Sequence, residues 1–101
     1  MNLQRQISPD GRTVTIAIHG RFDFSLHKDF REAYSGEAAA ADRYVIDFKD
    51  TEYMDSSALG MLLLLREHVG GDTERVRLTN VSPELRKILE ISNFHHLFKM
   101  D

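Results

Sequence analysis

The segment Asp55-Ser56-Ser57 places two hydroxyl groups beside a carboxylate, and it is the segment that says most about function. Serine hydroxyl groups can cap a helix or accept a phosphate. The segment precedes the most apolar run of the sequence, and the pattern predicts that it opens a helix. Backbone N–H groups at a helix start lack intrahelical partners and carry the positive end of the helix dipole. A hydroxyl there can cap the helix, and the same position can hold a phosphate.

Phosphorylation of Ser56 would add about −1.5 to −2 charges where a helix terminus tolerates them. Asp55 would repel the new charge, so we expect the modification to act on a partner and to leave the fold intact. Capping alone is the competing interpretation of Asp55, Ser56 and Ser57. Local physics favours capping, because such caps are common.

Few other patterns in the sequence could carry chemistry. It contains no nucleophile elbow, no phosphate-cradling loop and no dinucleotide fingerprint. The histidines lack the spacing of a metal-binding pair, and we expect surface or half-buried positions for them. They are His19, His27, His68, His95 and His96. Strand ends and helix caps explain Asp23, Asp47 and Asp55 more simply than an acidic catalytic cluster does, so we predict no catalytic residue, metal or cofactor.

The composition narrows the class of protein. The chain has 101 residues, 42% of them hydrophobic and 29% charged, with a formal charge of −3 and no cysteine. These values are typical of one globular domain and argue against a nucleic-acid binder, an anionic membrane surface as main partner and a disulfide framework. No membrane span or secretory segment is visible. We therefore predict a single cytoplasmic domain over residues 1–101, and a monomer.

Hydrophobic periodicity predicts the elements that position these residues. Four strands are predicted, over residues 3–7, 13–19, 44–48 and 76–79. Three helices are predicted: one capped by Asp23 or Ser25, one opened by residues 54–57 and running to about His68, and one capped by Ser82. The order β-β-α-β-α-β-α indicates an α/β fold with a mixed sheet of four to five strands.

The connections carry further expectations. Gly20 is expected to end the second strand, residues 49–53 are expected to form a polar connection, and the alanines at 38–41 favour a continued helix. The strand over 44–48 is nearly all apolar, which is typical of coverage on both faces. Right-handed crossovers would place the starts of the first two helices, with Asp23 and Ser56, near one end of the sheet.

Leu62, Leu63, Leu64 and Leu65 are consecutive, so on a helix they point in all directions. A helix that packs on a sheet buries one broad stripe. At least one leucine should therefore face solvent, a flanking helix or a partner. An exposed apolar ridge beside a modifiable serine would form a regulated docking surface; cover by the flanking helices is the alternative.

Three segments together resemble STAS domains, the anti-anti-sigma factor family. The first segment consists of residues 45–48, a short polar spacer and residues 53–62; it is similar to a strand and helix start whose hallmark is Asp-Ser-Ser/Thr-Gly-Leu-Gly. Residues 20–23 resemble the Gly-x-x-Asp after the second strand, and residues 81–98 resemble the last helix and tail. The resemblance covers essentially the whole chain. Ala58 stands where glycine is usual, and its methyl group is expected to reshape the partner contact slightly.

The resemblance implies a protein without catalysis of its own. It implies that Ser56, or else Ser57, is phosphorylated by a serine kinase and restored by a serine phosphatase. The unphosphorylated form would bind an anti-sigma factor, often the kinase itself, and release a sigma factor; the phosphorylated form would let go. The implied partner-binding residues are Asp23, Asp55, Ser57, Ala58, Leu59 and Gly60.

The sequence leaves two other functions open. Stand-alone STAS proteins also serve as constitutive cytoplasmic subunits of lipid-transporting ABC systems, where the leucine-rich helix would matter and the serine would not. An enzyme acting on a small acid or nucleotide is the third hypothesis. A saturable, ligand-dependent rise in melting temperature would support that third hypothesis.

Overall fold

The structure, a computed structural model, describes residues 2–101. Within that range the seven strands are Leu3–Ile7 (β1), Thr13–Ile18 (β2), Gly20–Phe22 (β3), Arg43–Asp47 (β4), Thr51–Met54 (β5), Val76–Thr79 (β6) and Lys99–Met100 (β7). The three α-helices are His27–Ala33 (α1), Ser56–His68 (α2) and Pro83–Ile91 (α3). Short 3-10 turns occur at Phe24–Leu26, Gly36–Ala38, Thr73–Arg75 and Phe94–His96.

Five strands form the main sheet, in the order β1-β2-β4-β6-β7. The hairpin strands β1 and β2 are antiparallel, and every other neighbouring pair is parallel. Ile46 at the centre of β4 lies opposite Ile16 on one side and Leu78 on the other. The predicted mixed α/β sheet is therefore confirmed. Strand β7 was not predicted, because two residues are too few to show a periodic pattern.

A second, two-stranded parallel sheet joins β3 to β5. The prediction that the second strand stops at Gly20 is confirmed, since β2 ends at Ile18, but the strand that follows was missed: Gly20, with φ at +76°, begins β3. The prediction of a polar connection over 49–53 was wrong, because β5 begins at Thr51. Three- and four-residue strands with exposed side chains carry too little periodicity to be recognised locally.

The core lies between the main sheet and its helices. Val14, Ile16 and Ile18 alternate with half-buried residues along β2, which is the pattern of a strand with one buried face. On β4 the alternate residues Tyr44 and Ile46 are buried, whereas Val45 is half-buried. The second face of β4 is thus only partly covered, and the expectation of full coverage on both faces was too strong.

The alanine run does not continue a helix. Helix α1 ends at Ala33, and Gly36 adopts φ of +59°, which an α-helix excludes. Ala38 is buried, and its carbonyl oxygen accepts a hydrogen bond of 2.5 Å from the Tyr44 hydroxyl. The buried Ala38 and its hydrogen bond to Tyr44 hold this segment in a non-helical conformation, so tertiary contacts override helix propensity. No helix among residues 2–101 is both long and apolar enough to cross a membrane.

Candidate functional site

Two turns meet at one end of the small sheet. Phe22 and Met54 form the last register pair of β3 and β5, and both side chains are buried. Asp23 directly follows Phe22, and Asp55 directly follows Met54. The backbone N–H of Asp55 donates to the carbonyl oxygen of Phe22 at 3.4 Å. The predicted proximity of Asp23 and Ser56 is therefore confirmed, and β3 and β5 are the elements that produce it.

Residues 55–57 form one of these two turns, which we call the Ser56 turn. Asp55 is the N-cap of α2, and one of its carboxylate oxygens accepts from the backbone N–H groups of Ser57 and Ala58 at 3.0 and 3.2 Å. The Ser57 hydroxyl donates to the same oxygen at 2.6 Å. Asp55 and Ser57 thus satisfy the helix start between them.

Ser56 takes no part in the cap. It is the first residue of α2 and is exposed to solvent. Within residues 2–101, no hydrogen bond joins its hydroxyl to another residue. The local sequence left capping and modification open for all three residues, whereas the structure assigns the cap to Asp55 and Ser57 and leaves the Ser56 hydroxyl available.

Residues 23–25 repeat this geometry as the second turn, here called the Phe24 turn. Asp23 caps the 3-10 turn after it, accepting from the backbone N–H of Ser25 at 3.0 Å and from the Ser25 hydroxyl at 2.5 Å. The middle residue again points outward, because Phe24 is 68% exposed. Its ring stacks on that of His27, with 5.1 Å between centroids.

Both aspartates are held in the ionised form. The Ser57 hydroxyl lowers the pKa of Asp55, and the backbone N–H groups of Ser57 and Ala58 add to this. The Ser25 hydroxyl and backbone N–H lower the pKa of Asp23 in the same way. The nearby charge of Asp23 opposes the effect at Asp55 by raising its pKa. This end of the small sheet therefore presents two negative charges close together.

A cation–π contact completes this edge. The guanidinium carbon of Arg21 lies 4.3 Å from the centroid of the Tyr53 ring, and Arg21 Nε lies 3.4 Å from Asp23 Oδ2. Tyr53 is 42% exposed. Sequence reasoning missed Arg21, Phe24 and Tyr53 as site residues. The available signal was the repeated Asp-x-Ser after a buried residue, which marks Phe24 as the counterpart of Ser56.

Helix α2 continues the exposed surface away from the Ser56 turn. Gly60, Leu63 and Leu64 are exposed, the two leucines by 40% and 46%, and they follow Ser56 at helical spacing. Leu62 and Leu65 are buried in the core. The expectation that part of the leucine run escapes burial is confirmed.

The remaining predicted contact residues differ in their placement. Leu59 is half-buried against the core, and Ala58 is fully buried. The Ala58 methyl group therefore packs inward and cannot contact a partner, which corrects the expectation for that side chain. No cluster of three His, Cys, Asp or Glu residues suited to a metal ion occurs over residues 2–101.

Comparison with known proteins shows clear similarity. The model of a family described as Mlab, STAS domain, matches residues 6–99. A STAS-domain containing protein of Pseudomonas aeruginosa is 58% identical over 93 residues, which cover 92% of either chain. The structure of the anti-sigma factor antagonist SpoIIAA in its unphosphorylated form matches with a TM-score of 0.76 and 25% identity, over 98% of this chain and 86% of that one. A sulfate transporter family protein of Wolinella succinogenes shares the fold, with a TM-score of 0.74 and 14% identity over 90% of this chain and 73% of that one.

Proposed function

The chain belongs to the STAS domain family, and we propose that it is a regulatory binding protein switched by phosphorylation. Its unphosphorylated form binds an anti-sigma factor, or a related regulator, and so relieves inhibition of a sigma factor. A serine kinase modifies Ser56 in the cytoplasm, a serine phosphatase restores it, and the chain itself catalyses nothing. The observation that carries this proposal is the exposed Ser56 hydroxyl, which has no hydrogen bond among residues 2–101, beside a cap completed by Asp55 and Ser57.

The position of Ser56 makes the modification compatible with the fold. A phosphate at the first residue of α2 would lie at the positive end of the helix dipole. The cap would persist, because its three hydrogen bonds come from Ser57 and Ala58. The switch therefore acts at the surface and requires no large conformational change.

The effect of the phosphate on a partner has a definite scale. Asp23 and Asp55 are already ionised, and a phosphate would add about −1.5 to −2 charges beside them. A partner that accepts the unmodified surface would have to desolvate this charge or face its repulsion. A penalty of about 3–4 kcal/mol would weaken binding several-hundred-fold, since each 1.4 kcal/mol corresponds to a factor of ten. Partner contact through Asp23, Asp55, Ser57, Leu59 and Gly60 belongs to the same proposal.

The test compares Ser56→Ala, Ser56→Asp and wild type as baits, together with mass spectrometry of the protein purified from its own cells. We expect phosphorylation at Ser56, and a set of partners, including an anti-sigma factor, that binds Ser56→Ala and not Ser56→Asp. Gln4→Glu is the control, because it adds one negative charge at an exposed position on β1. If Ser56 is never modified and Ser56→Asp binds every partner as well as wild type does, the proposal fails.

A second function is favoured by the exposed Leu63 and Leu64. As a constitutive subunit of a lipid-transporting ABC system, the protein would bind its partner through α2 whatever the state of Ser56. Leu63→Gln combined with Leu64→Gln would then abolish co-purification with an ATPase, and Ser56→Asp would leave it unchanged. The switch proposal gives the opposite result for Ser56→Asp, so the same set of variants separates the two functions.

A further inference from the structure

Arg21 is held at the edge beside the Ser56 turn by two contacts. It lies opposite Tyr53 in the register of β3 and β5, and its guanidinium group covers the Tyr53 ring. Its Nε donates to Asp23 Oδ2 at 3.4 Å, which is a long hydrogen bond. The Arg21 side chain is 65% exposed. Contacts of this kind between exposed groups contribute little net stability and are readily exchanged.

Most of the donors on Arg21 are unused. A guanidinium group has five N–H donors in a planar fork. In the described part of the chain, only Nε makes a hydrogen bond, and both terminal nitrogens make none. Two terminal nitrogens in one plane match two phosphate oxygens in a bidentate pair, which is stronger than a single long contact to a carboxylate.

Backbone pairing places Ser56 on the same edge as Arg21. The N–H of Asp55 donates to the carbonyl oxygen of Phe22, the residue after Arg21, and Ser56 follows Asp55 as the first residue of α2. A phosphate there would lie beside the carboxylates of Asp23 and Asp55, where repulsion favours any arrangement that brings a cation closer. Arg21 is the cation that the observed contacts place at this edge.

We propose that Arg21 recognises the phosphorylated state of Ser56, by releasing Asp23 and the Tyr53 ring and pairing its terminal nitrogens with two phosphate oxygens. This inference rests on the proposed modification of Ser56. It implies that one phosphate acts beyond the Ser56 turn, because Asp23 of the Phe24 turn loses its cationic partner and Tyr53 on β5 loses its cover when Arg21 moves. A partner would then sense the modification over the whole edge and not at Ser56 alone.

The experiment uses the full chain with phosphoserine incorporated genetically at position 56, so that neither a kinase nor a partner is needed. The second ionisation of the phosphate is followed by ³¹P NMR, and the Tyr53 ring protons are followed in the same titration. Arg21→Gln removes the guanidinium group and its charge. Arg21→Lys keeps the positive charge but lacks the planar pair of terminal nitrogens. Arg12→Gln is the matched control, because Arg12 is an exposed arginine in the β1–β2 connection.

A cation near the phosphate favours its doubly charged form and lowers the titration midpoint. We expect Arg21→Gln to raise the midpoint by roughly half a pH unit, Arg21→Lys to recover part of the difference and Arg12→Gln to leave it unchanged. The Tyr53 ring resonances should move with phosphate ionisation only when Arg21 is present. Equal midpoints for wild type and Arg21→Gln would overturn the inference, and so would an equal rise in Arg12→Gln. Because the phosphate is installed directly, this outcome is independent of whether cells modify Ser56 or partners respond to it.

Discussion

The Ser56 turn and the Phe24 turn are built alike and differ in one residue that matters. In each, an aspartate comes directly after a buried residue of the small sheet and accepts two hydrogen bonds from the serine two positions later. In each, the middle residue points into solvent. One turn offers a hydroxyl there, and the other an aromatic ring.

In both turns, the residues that cap the helix are different from the residue that exposes its side chain to solvent. The aspartate and the serine at the third position make the capping hydrogen bonds. The side chain at the middle position is therefore not needed for the cap. The side chain at this position can therefore differ between the two turns without altering the fold. The helices after the two turns also differ, since Asp55 caps the 13-residue α2 directly, whereas Asp23 caps a three-residue 3-10 turn that leads into the seven-residue α1.

The largest effect tests whether both turns depend on the core beneath them. Phe22→Ala removes a fully buried ring that lies 5.3 Å from Phe30 and 6.1 Å from Phe48, between centroids. We expect it to lower the free energy of unfolding by about 3–5 kcal/mol, and Met54→Ala to lower it by about 2–5 kcal/mol. Urea unfolding followed by circular dichroism measures both. A loss below about 1 kcal/mol for either variant would mean that the side chain beneath that turn contributes less to the core than its burial indicates.

The next effect separates the caps. Asp55→Ala should lower the melting temperature by about 5 °C, because it removes the N-cap of a long helix. Asp23→Ala should lower it by less, because Asp23 caps a three-residue 3-10 turn that leads into the short helix α1 and does not cap an α-helix directly. Glu52→Ala, which removes an exposed carboxylate from β5, is the control and should be nearly neutral. Equal losses in Asp23→Ala and Asp55→Ala would break the distinction between the turns.

A smaller effect distinguishes the two serines of the Ser56 turn. Ser57→Ala removes a hydroxyl that donates to Asp55, and we expect a loss of about 1 kcal/mol in unfolding free energy. Ser56→Ala removes a hydroxyl without a partner in the described residues and should change stability by less than about 0.5 kcal/mol. Chemical denaturation of both variants makes the comparison. The reverse ranking would mean that Ser56, and not Ser57, supports the cap.

The smallest expected effect is the contribution of Asp55 to the pH dependence of the unfolding free energy. The pKa of Asp55 is lowered in the folded protein, first by the Ser57 hydroxyl. Its contribution is therefore complete above the unfolded value near 4 and is lost as the pH falls through the lowered folded value. We expect Asp55→Asn to lose less stability than wild type between about pH 5 and pH 2. A steeper loss in Asp55→Asn, measured by denaturation across this range, would contradict the lowered pKa.

Much of the fold can be derived from local sequence. The alternation of Val14, Ile16 and Ile18 predicted β2, and Ser82 before Pro83 predicted the start of α3, where the Ser82 side chain accepts from the N–H of Leu85. Strands β3 and β5 were missed because a few exposed residues become a strand only through pairing with a distant segment. That pairing is decided by the tertiary fold and leaves no periodic signal.

The location of the site could be predicted from the sequence, but which of its residues cap the helix and which face solvent could not. The sequence marked Asp55-Ser56-Ser57 as a helix start, but which serine caps depends on how the Asp55 carboxylate turns towards the backbone. The exposure of Leu63 and Leu64 could be derived from the helical period, since four consecutive leucines cannot share one face. The contact of Arg21 with Tyr53 could not be derived, because it requires the register of β3 against β5.

The small sheet of β3 and β5 also bears on the order of folding. Its strands run parallel, so they cannot meet until the intervening segment, with α1 and β4, has closed into a loop. Strands of three and four residues give little stability by themselves. We therefore expect this small sheet to assemble only after β2 and β4 have paired, so that Phe22 and Met54 are among the last side chains to enter the core.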